Sequence, residues 1–225
     1  MKTVGAVMLV VLAAAGVALA GTCPAETYDN YLLLSSCMIN DMTFNNFSYT
    51  ASGTNPVPAS SISVSPQGTM GNPGFLFNAP WNVSANQTQD SLIGFTAMTS
   101  TPSITDLELV MIGSGFTGTG SVSVAESYCL GDTFADGCKH GISGTLDVFN
   151  SSSGSQLTDS VSFAGVSIVD IDKDILLSGG SSGSAEVSGV MNLFSEEVPE
   201  PAELSLLGGG LALAGAGLLR RKRGA

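Results

Sequence analysis

Short runs of strict alternation set the strongest limit on what this chain can fold into. Ser61-Ile62-Ser63-Val64-Ser65 places an apolar side chain at every second position, and Ser121-Val122-Ser123-Val124-Ala125-Glu126 repeats the pattern. A period of two sends alternate side chains to opposite faces, which an extended strand satisfies and a helix does not. Further runs cover Thr43 to Thr50, Gly74 to Phe77 (closed by Pro80), Asp90 to Thr99, and Ile104 to Ile112, which alternates less cleanly. Others cover Gly144 to Phe149, Ser160 to Val169, Ile171 to Leu177 and Ala185 to Phe194. Clusters of Gly, Pro, Asn and Ser separate them. About nine or ten short strands at this spacing predict a mainly β fold, an antiparallel β-sandwich of jelly-roll-like type. No βαβ alternation is present, which argues against a parallel α/β sheet. One short N-terminal helix is expected within Ala25 to Leu34. Tyr28, Tyr31 and Leu32 fall there at i, i+3 and i+4, and Pro24 suits a first turn.

Charge narrows the partners. The chain carries 19 acidic residues against 7 basic ones, for a formal net charge of -12. At 44% hydrophobic residues it is too apolar for a disordered acidic tail. The basic residues are Lys2, Lys139, Lys173, Arg220, Arg221, Lys222 and Arg223, so five of the seven sit near the two ends. Without a basic stripe, nucleic acid is excluded as a partner.

Both ends read as addresses. Met1-Lys2 is a short positive region, and Val4 to Leu19 is uncharged and apolar. Ala18-Leu19-Ala20 is a small-x-small cleavage pattern, so residues 1–20 are expected to be a signal peptide read by signal peptidase. At the other end, residues 195–203 form an acidic, Pro-rich linker containing Val198-Pro199-Glu200-Pro201. Each Pro fixes its own φ and disfavours helix in the residue before it, so this linker is extended. Residues 204–219 are apolar or small except Ser205. As a transmembrane helix they span about 24 Å at ~1.5 Å per residue, against a hydrocarbon core of ~30 Å. Local thinning and snorkelling of flanking Arg side chains make up the difference. Residues 220–225 hold Arg220-Arg221-Lys222-Arg223, a stop-transfer cluster that marks the cytoplasmic side. Residues 21–194 remain as one domain of ordinary size.

Val198-Pro199-Glu200-Pro201-Ala202, the Leu/Gly/Ala-rich span and the terminal Arg cluster resemble the bacterial PEP-CTERM sorting signal. The resemblance covers about the last 28 residues. It implies processing near Pro199, Glu200 and Pro201 by an exosortase-type membrane enzyme. An inner-membrane-anchored intermediate is then released to the cell surface or extracellular space, in bacteria that make exopolysaccharide.

The four cysteines are Cys23, Cys37, Cys129 and Cys138. An even count in an exported chain points to disulfides, and four cysteines allow three connectivities. Cys23–Cys37 and Cys129–Cys138 are favoured, because each closes a short loop. A zinc site fits poorly, since the spacings are not of the CxxC type.

Candidate chemistry is sparse. His140 is the only histidine, and no Gly-x-Ser-x-Gly elbow accompanies it. Asp170, Asp172 and Asp174 alternate, which is the weak candidate for calcium. Ile175 and Ser181 stand where an EF-hand needs Gly and Glu. On a strand the three aspartates share one wet face, with Ile171, Lys173 and Ile175 on the other. Asp132 and Asp136 form a second weak candidate. Trp81 and the tyrosines are the residues able to stack on a sugar, although a lone Trp beside Pro80 more often packs in a core. The Asn-x-Ser/Thr sites at Asn46, Asn82, Asn86 and Asn150 are eukaryotic acceptors and coincidental behind a bacterial tail. No carboxylate pair stands out for glycoside hydrolysis.

The sequence therefore predicts a non-enzymatic surface or matrix protein without cofactor, associated with exopolysaccharide. A glycan- or calcium-binding module is the alternative, and a secreted hydrolase with an unrecognised site the third.

Overall fold

Residues 21–69, 72–100 and 103–197 are described by the structure, a computed structural model. The signal peptide, the Val198 to Pro201 motif, the apolar span and the basic cluster lie outside the described residues. Among those described, no helix is long and apolar enough to cross a membrane.

The strands are β1 (Gly21–Thr22), β2 (Glu26–Thr27), β3 (Ser36–Ile39), β4 (Met42–Gly53), β5 (Ser63–Thr69), β6 (Asn72–Val83), β7 (Thr88–Met98) and β8 (Ile104–Ile112). They continue with β9 (Gly115–Thr117), β10 (Ser121–Leu130), β11 (Ile142–Ser151), β12 (Gly154–Gln156), β13 (Thr158–Val166), β14 (Ile168–Ser178) and β15 (Ser184–Glu196). One sheet runs β1-β3-β4-β7-β14-β10-β11-β12, and the other β13-β8-β15-β6-β5-β2, with β9 also on β15. Every pairing is antiparallel except β1 with β3. The expected antiparallel sandwich is present as two such sheets.

Alternation decides which side chains face inward. On β14, Val169, Ile171, Lys173, Ile175 and Leu177 are buried. On β10, Val122, Val124 and Glu126 are buried. β8 has the expected bounds, and its irregular pattern has a cause. Ile104 is buried, then Leu107, Leu109 and Met111, because both neighbouring strands shift register beside its first residues. Such bulges insert a residue and flip the parity beyond them. Five core phenylalanines, Phe44, Phe75, Phe77, Phe95 and Phe194, meet largely edge-on or tilted. Phe44 and Phe75 lie 4.6 Å apart, and Phe75 and Phe95 5.6 Å at 89°. Each fully buried ring contributes on the order of 2 kcal/mol by transfer from water.

Two local expectations are corrected. The helix is a single turn, α1 (Tyr28–Tyr31), and Pro24 lies ahead of it rather than in its first turn. Glu26 and Thr27 pair with β5 instead. Tyr28 and Tyr31 are buried, but Leu32 is exposed, so only the i, i+3 pair faces inward. Tertiary contacts hold that turn. Tyr28 Oη donates to the Gly94 carbonyl at 2.9 Å, and Tyr31 Oη to the Pro24 carbonyl at 2.5 Å. Nor does Pro80 close its strand, because β6 continues to Val83. The partner strand shifts register between Val187 and Gly189, opposite Asn78 to Trp81. Pro80 sits in that bulge, where no ladder hydrogen bond is required of it.

The disulfides are Cys23–Cys37 and Cys129–Cys138, with Cα atoms 4.7 and 5.8 Å apart. They are the pairs expected and fit an oxidising compartment. On the chain-entropy estimate each contributes roughly 2–3 kcal/mol.

Candidate binding recess on the eight-stranded sheet

The outer face of the larger sheet carries the acidic row. Asp170, Asp172 and Asp174 project from β14 opposite the buried Ile171, Lys173 and Ile175, as the alternation predicts. The register sets their neighbours. Asp170 faces Thr96, Asp172 faces Gly94 and Asp174 faces Leu92 on β7. On the far side of β7, Ser48 pairs with Gly94 and Thr50 with Leu92. Ser48, Gly94, Asp172 and Ser127 thus form one line across four strands.

Gly94 makes that line concave. A Cβ there would stand 2.4 Å from Ser48 Oγ and 2.8 Å from Asp172 Oδ1, too close for any other residue without displacement. The result is a recess of about 280 Å³ lined by Asn46, Ser48, Gly94, Thr96, Asp170 and Asp172, with Thr133 and Ala135 at its edge. Beneath it, the Tyr28 hydroxyl reaches the carbonyls of Gly94 and Ser48 from the core side. A bulge in β4 between Asn45 and Ser48 puts Asn46 at φ 55° and lets its Nδ2 donate to Thr96 Oγ1 at 3.1 Å.

The two recess aspartates have different duties. Both oxygens of Asp170 are engaged: Oδ1 accepts from Thr96 Oγ1 at 2.6 Å, and Oδ2 from the Phe134 N–H at 2.8 Å. Phe134–Asp136 is a short 3₁₀ turn inside the Cys129–Cys138 loop, so Asp170 fastens that loop over the sheet. Asp132 fastens its other end by accepting from the His140 N–H at 3.0 Å. That backbone donor, followed by the Thr133 N–H, holds the Asp132 carboxyl below its ordinary value. Asp172 has no hydrogen-bond partner among the described residues and faces the recess. Burial, then the charge of Asp170, raises its carboxyl above the ordinary value.

A second polar hollow of about 160 Å³ continues along the same strands, lined by Thr50, Ala51, Ser52, Asp90, Leu92 and Asp174. Asp174 is raised to about 6 by burial, and then by a hydrogen bond with Asp90 and its charge. Ser52 Oγ donates to Asp90 Oδ2 at 3.0 Å. Glu196 is raised to about 7 by burial and then by Asp41 in the same manner. Carboxyls in direct hydrogen bond stand closer than the ~5–5.5 Å of retaining or the ~6.5–9.5 Å of inverting glycosidases.

The other sequence candidates do not gather here. Trp81 is 1% exposed and donates Nε1–H to Ser91 Oγ at 3.1 Å, so its ring is core and no sugar platform. A larger hollow of about 420 Å³ on the smaller sheet surrounds the Pro80 bulge, between Ser63, Asn78, Glu186 and Ser188. His140 is exposed, and its imidazole makes no hydrogen bond with the described residues. Among those residues, no group of three or more His, Cys, Asp or Glu is placed to hold a metal ion. Of the alternating aspartates, Asp170 is held by Thr96 and the Phe134 N–H, Asp174 pairs with Asp90, and Asp172 faces the recess. Sequence reasoning missed Gly94 and Ser48, and read Asn46 only as a coincidental Asn-x-Ser/Thr site, because their shared recess exists only once β4 is set beside β7.

No known family matches this chain, and no curated protein does. Solved structures similar to part of it include the following two. One is the enzymatically active domain of tailspike protein 4 of bacteriophage CBA120, at 11% identity and a TM-score of 0.27 over 68% of this chain. The chain spans only 19% of that protein's length. The other is TmCBM61 in complex with β-1,4-galactotriose, at 6% identity and a TM-score of 0.29, over 64% of this chain and 86% of that one. At such scores neither bears on the recess.

Proposed function

We propose that this protein is an exported surface or matrix protein whose β-sandwich binds neutral glycan at the Asp172 recess, as a binding module rather than an enzyme. The observation that carries the reading is the recess lining. It offers a free carboxylate, hydroxyls and a side-chain amide around a glycine floor, and no cation. Sugar hydroxyls are donors, and a carboxylate accepts from them in charge-assisted hydrogen bonds. Anionic polymers would be repelled by the surrounding acidic row. The tail supports delivery by the sorting route that the PEP-CTERM resemblance implies, with exopolysaccharide as the glycan at hand.

A panel of immobilised neutral and anionic polysaccharides tests the reading. The protein is expected to be retained on at least one neutral glycan, and Asp172→Ala to bind about tenfold more weakly. That corresponds to losing one charged hydrogen bond of ~1.5 kcal/mol. No retention on any neutral glycan, or equal retention of Asp172→Ala, refutes it. Delivery is tested separately, by the intact mass of protein recovered from its host. A mature chain that keeps Arg220 to Arg223 where exosortase is active contradicts processing.

A further inference from the structure

Three polar side chains meet in the centre of the sandwich. Lys173, Glu126 and Asn192 are each fully buried. Glu126 on β10 and Lys173 on β14 are direct cross-strand partners at inward positions, and Asn192 reaches them from β15 of the opposite sheet. Lys173 Nζ donates to Glu126 Oε2, and Asn192 Nδ2 donates to Glu126 Oε1 at 2.7 Å. One carboxylate therefore holds the amine and the carboxamide nitrogen, one on each oxygen. Their remaining cross-strand neighbours, Ile93, Leu146, Leu109 and Phe75, are all buried and apolar.

As an ordinary ion pair this cluster is poorly satisfied. Asn192 Oδ1 has no hydrogen-bond partner among the described residues. The Lys173 amine has a single acceptor among the described residues. Buried pairs with incomplete hydrogen bonding are often less stable than apolar residues of the same volume. Burial also pulls the Lys173 amine far below its ordinary value, toward the neutral, nucleophilic form.

We propose that Lys173 and Asn192 become joined by an isopeptide bond formed inside the folded core with Glu126 as the proton carrier. Lys173 Nζ attacks Asn192 Cγ, and an Nζ–Cγ bond forms. Glu126 takes the proton that Nζ loses and delivers a proton to Nδ2. The Cγ–Nδ2 bond breaks, and the nitrogen leaves as ammonia. The amine and the primary amide become a secondary amide plus ammonia, with no oxidant, reductant or activating group required. The product replaces an incompletely bonded buried amine and carboxamide with one secondary amide, and loss of ammonia to solvent makes the step irreversible. Folding supplies the catalysis, because only the closed sandwich brings the two sheets' groups together. The bond would staple the sheets through β14 and β15.

Peptide mapping of the full exported chain, with disulfides reduced, tests this. Wild type is expected to yield a branched peptide joining the Lys173 and Asn192 segments, lighter than their sum by one ammonia. Asn192→Ala and the isosteric Glu126→Gln should yield only linear peptides. Reduced wild type should also migrate faster than Asn192→Ala on a denaturing gel. Folded wild type that gives unmodified linear peptides at both positions overturns the proposal without recourse to any variant. A link from Lys173 to Glu126 overturns the choice of Asn192, and a bond that persists in Glu126→Gln overturns the role of Glu126.

Discussion

Changing Asp174 to Asn is expected to stabilise the protein, and only above acidic pH. Asp174 titrates near 6 and Glu196 near 7 in the fold, against ordinary values of 3.8 and 4.5. Both values are raised, so the native state holds these protons more tightly than the unfolded chain. The associated stability is present in full below about pH 4, where both states are protonated. It drains away as pH rises through 6 and 7, because the unfolded chain ionises freely while the fold places a second carboxylate alongside. A shift of two units is worth nearly 3 kcal/mol at face value. Each group is more than a third exposed, and solvent screening reduces that to on the order of 1 kcal/mol. Asn cannot ionise and still donates to Asp90. At pH 7.5, Asp174→Asn should therefore melt about 2–4 °C higher than wild type, the displacement expected for 1 kcal/mol in a domain of this size. At pH 4 the two should melt together. Adding Glu196→Gln should roughly double the gain, since the pairs are separate. Circular-dichroism melts at pH 4, 5.5 and 7.5 read this directly. A variant that melts at or below wild type at pH 7.5, with no convergence at pH 4, refutes the linkage.

Replacing Cys129 and Cys138 with Ser should cost roughly 2–3 kcal/mol in denaturant unfolding. It should also weaken glycan retention, because the loop that Asp170 fastens forms one edge of the recess. Tyr28→Phe removes the donor shared by the Gly94 and Ser48 carbonyls. It should cost about 1–2 kcal/mol in the same assay, and an unchanged midpoint would contradict the support drawn from below the recess. Trp81→Ala should cost about 3–5 kcal/mol as a core truncation without abolishing glycan retention in whatever fraction stays folded. Loss of binding by that folded fraction would return Trp81 to the ligand.

Much of this could be read from residues in order. The alternation that predicts β8 over Ile104 to Ile112 also places Ile171, Lys173 and Ile175 inside and three aspartates outside. The disulfide pairs were legible because short loops close cheaply. Even the core cluster left a trace. Glu126 keeps the parity of Val122 and Val124, and Asn192 that of Val190 and Phe194, so each is a polar residue in an inward slot. The helix was overdrawn because periodicity cannot show that only Tyr28 and Tyr31 find partners in the core. Pro80 was misread as a terminator because a bulge depends on the strand opposite.

The physical division is between parity and pairing. Parity is local: a strand's own order of side chains decides which face is dry, so the chain alone determined a sandwich with an acidic, hydroxyl-rich exterior. Pairing is not local. β14 lies between β7 and β10, and β15 between β6 and β8, through contacts among segments far apart in the chain. Only that register sets Asp172 beside Gly94 and Ser48, and only the closing of one sheet on the other brings Asn192 to Glu126 and Lys173.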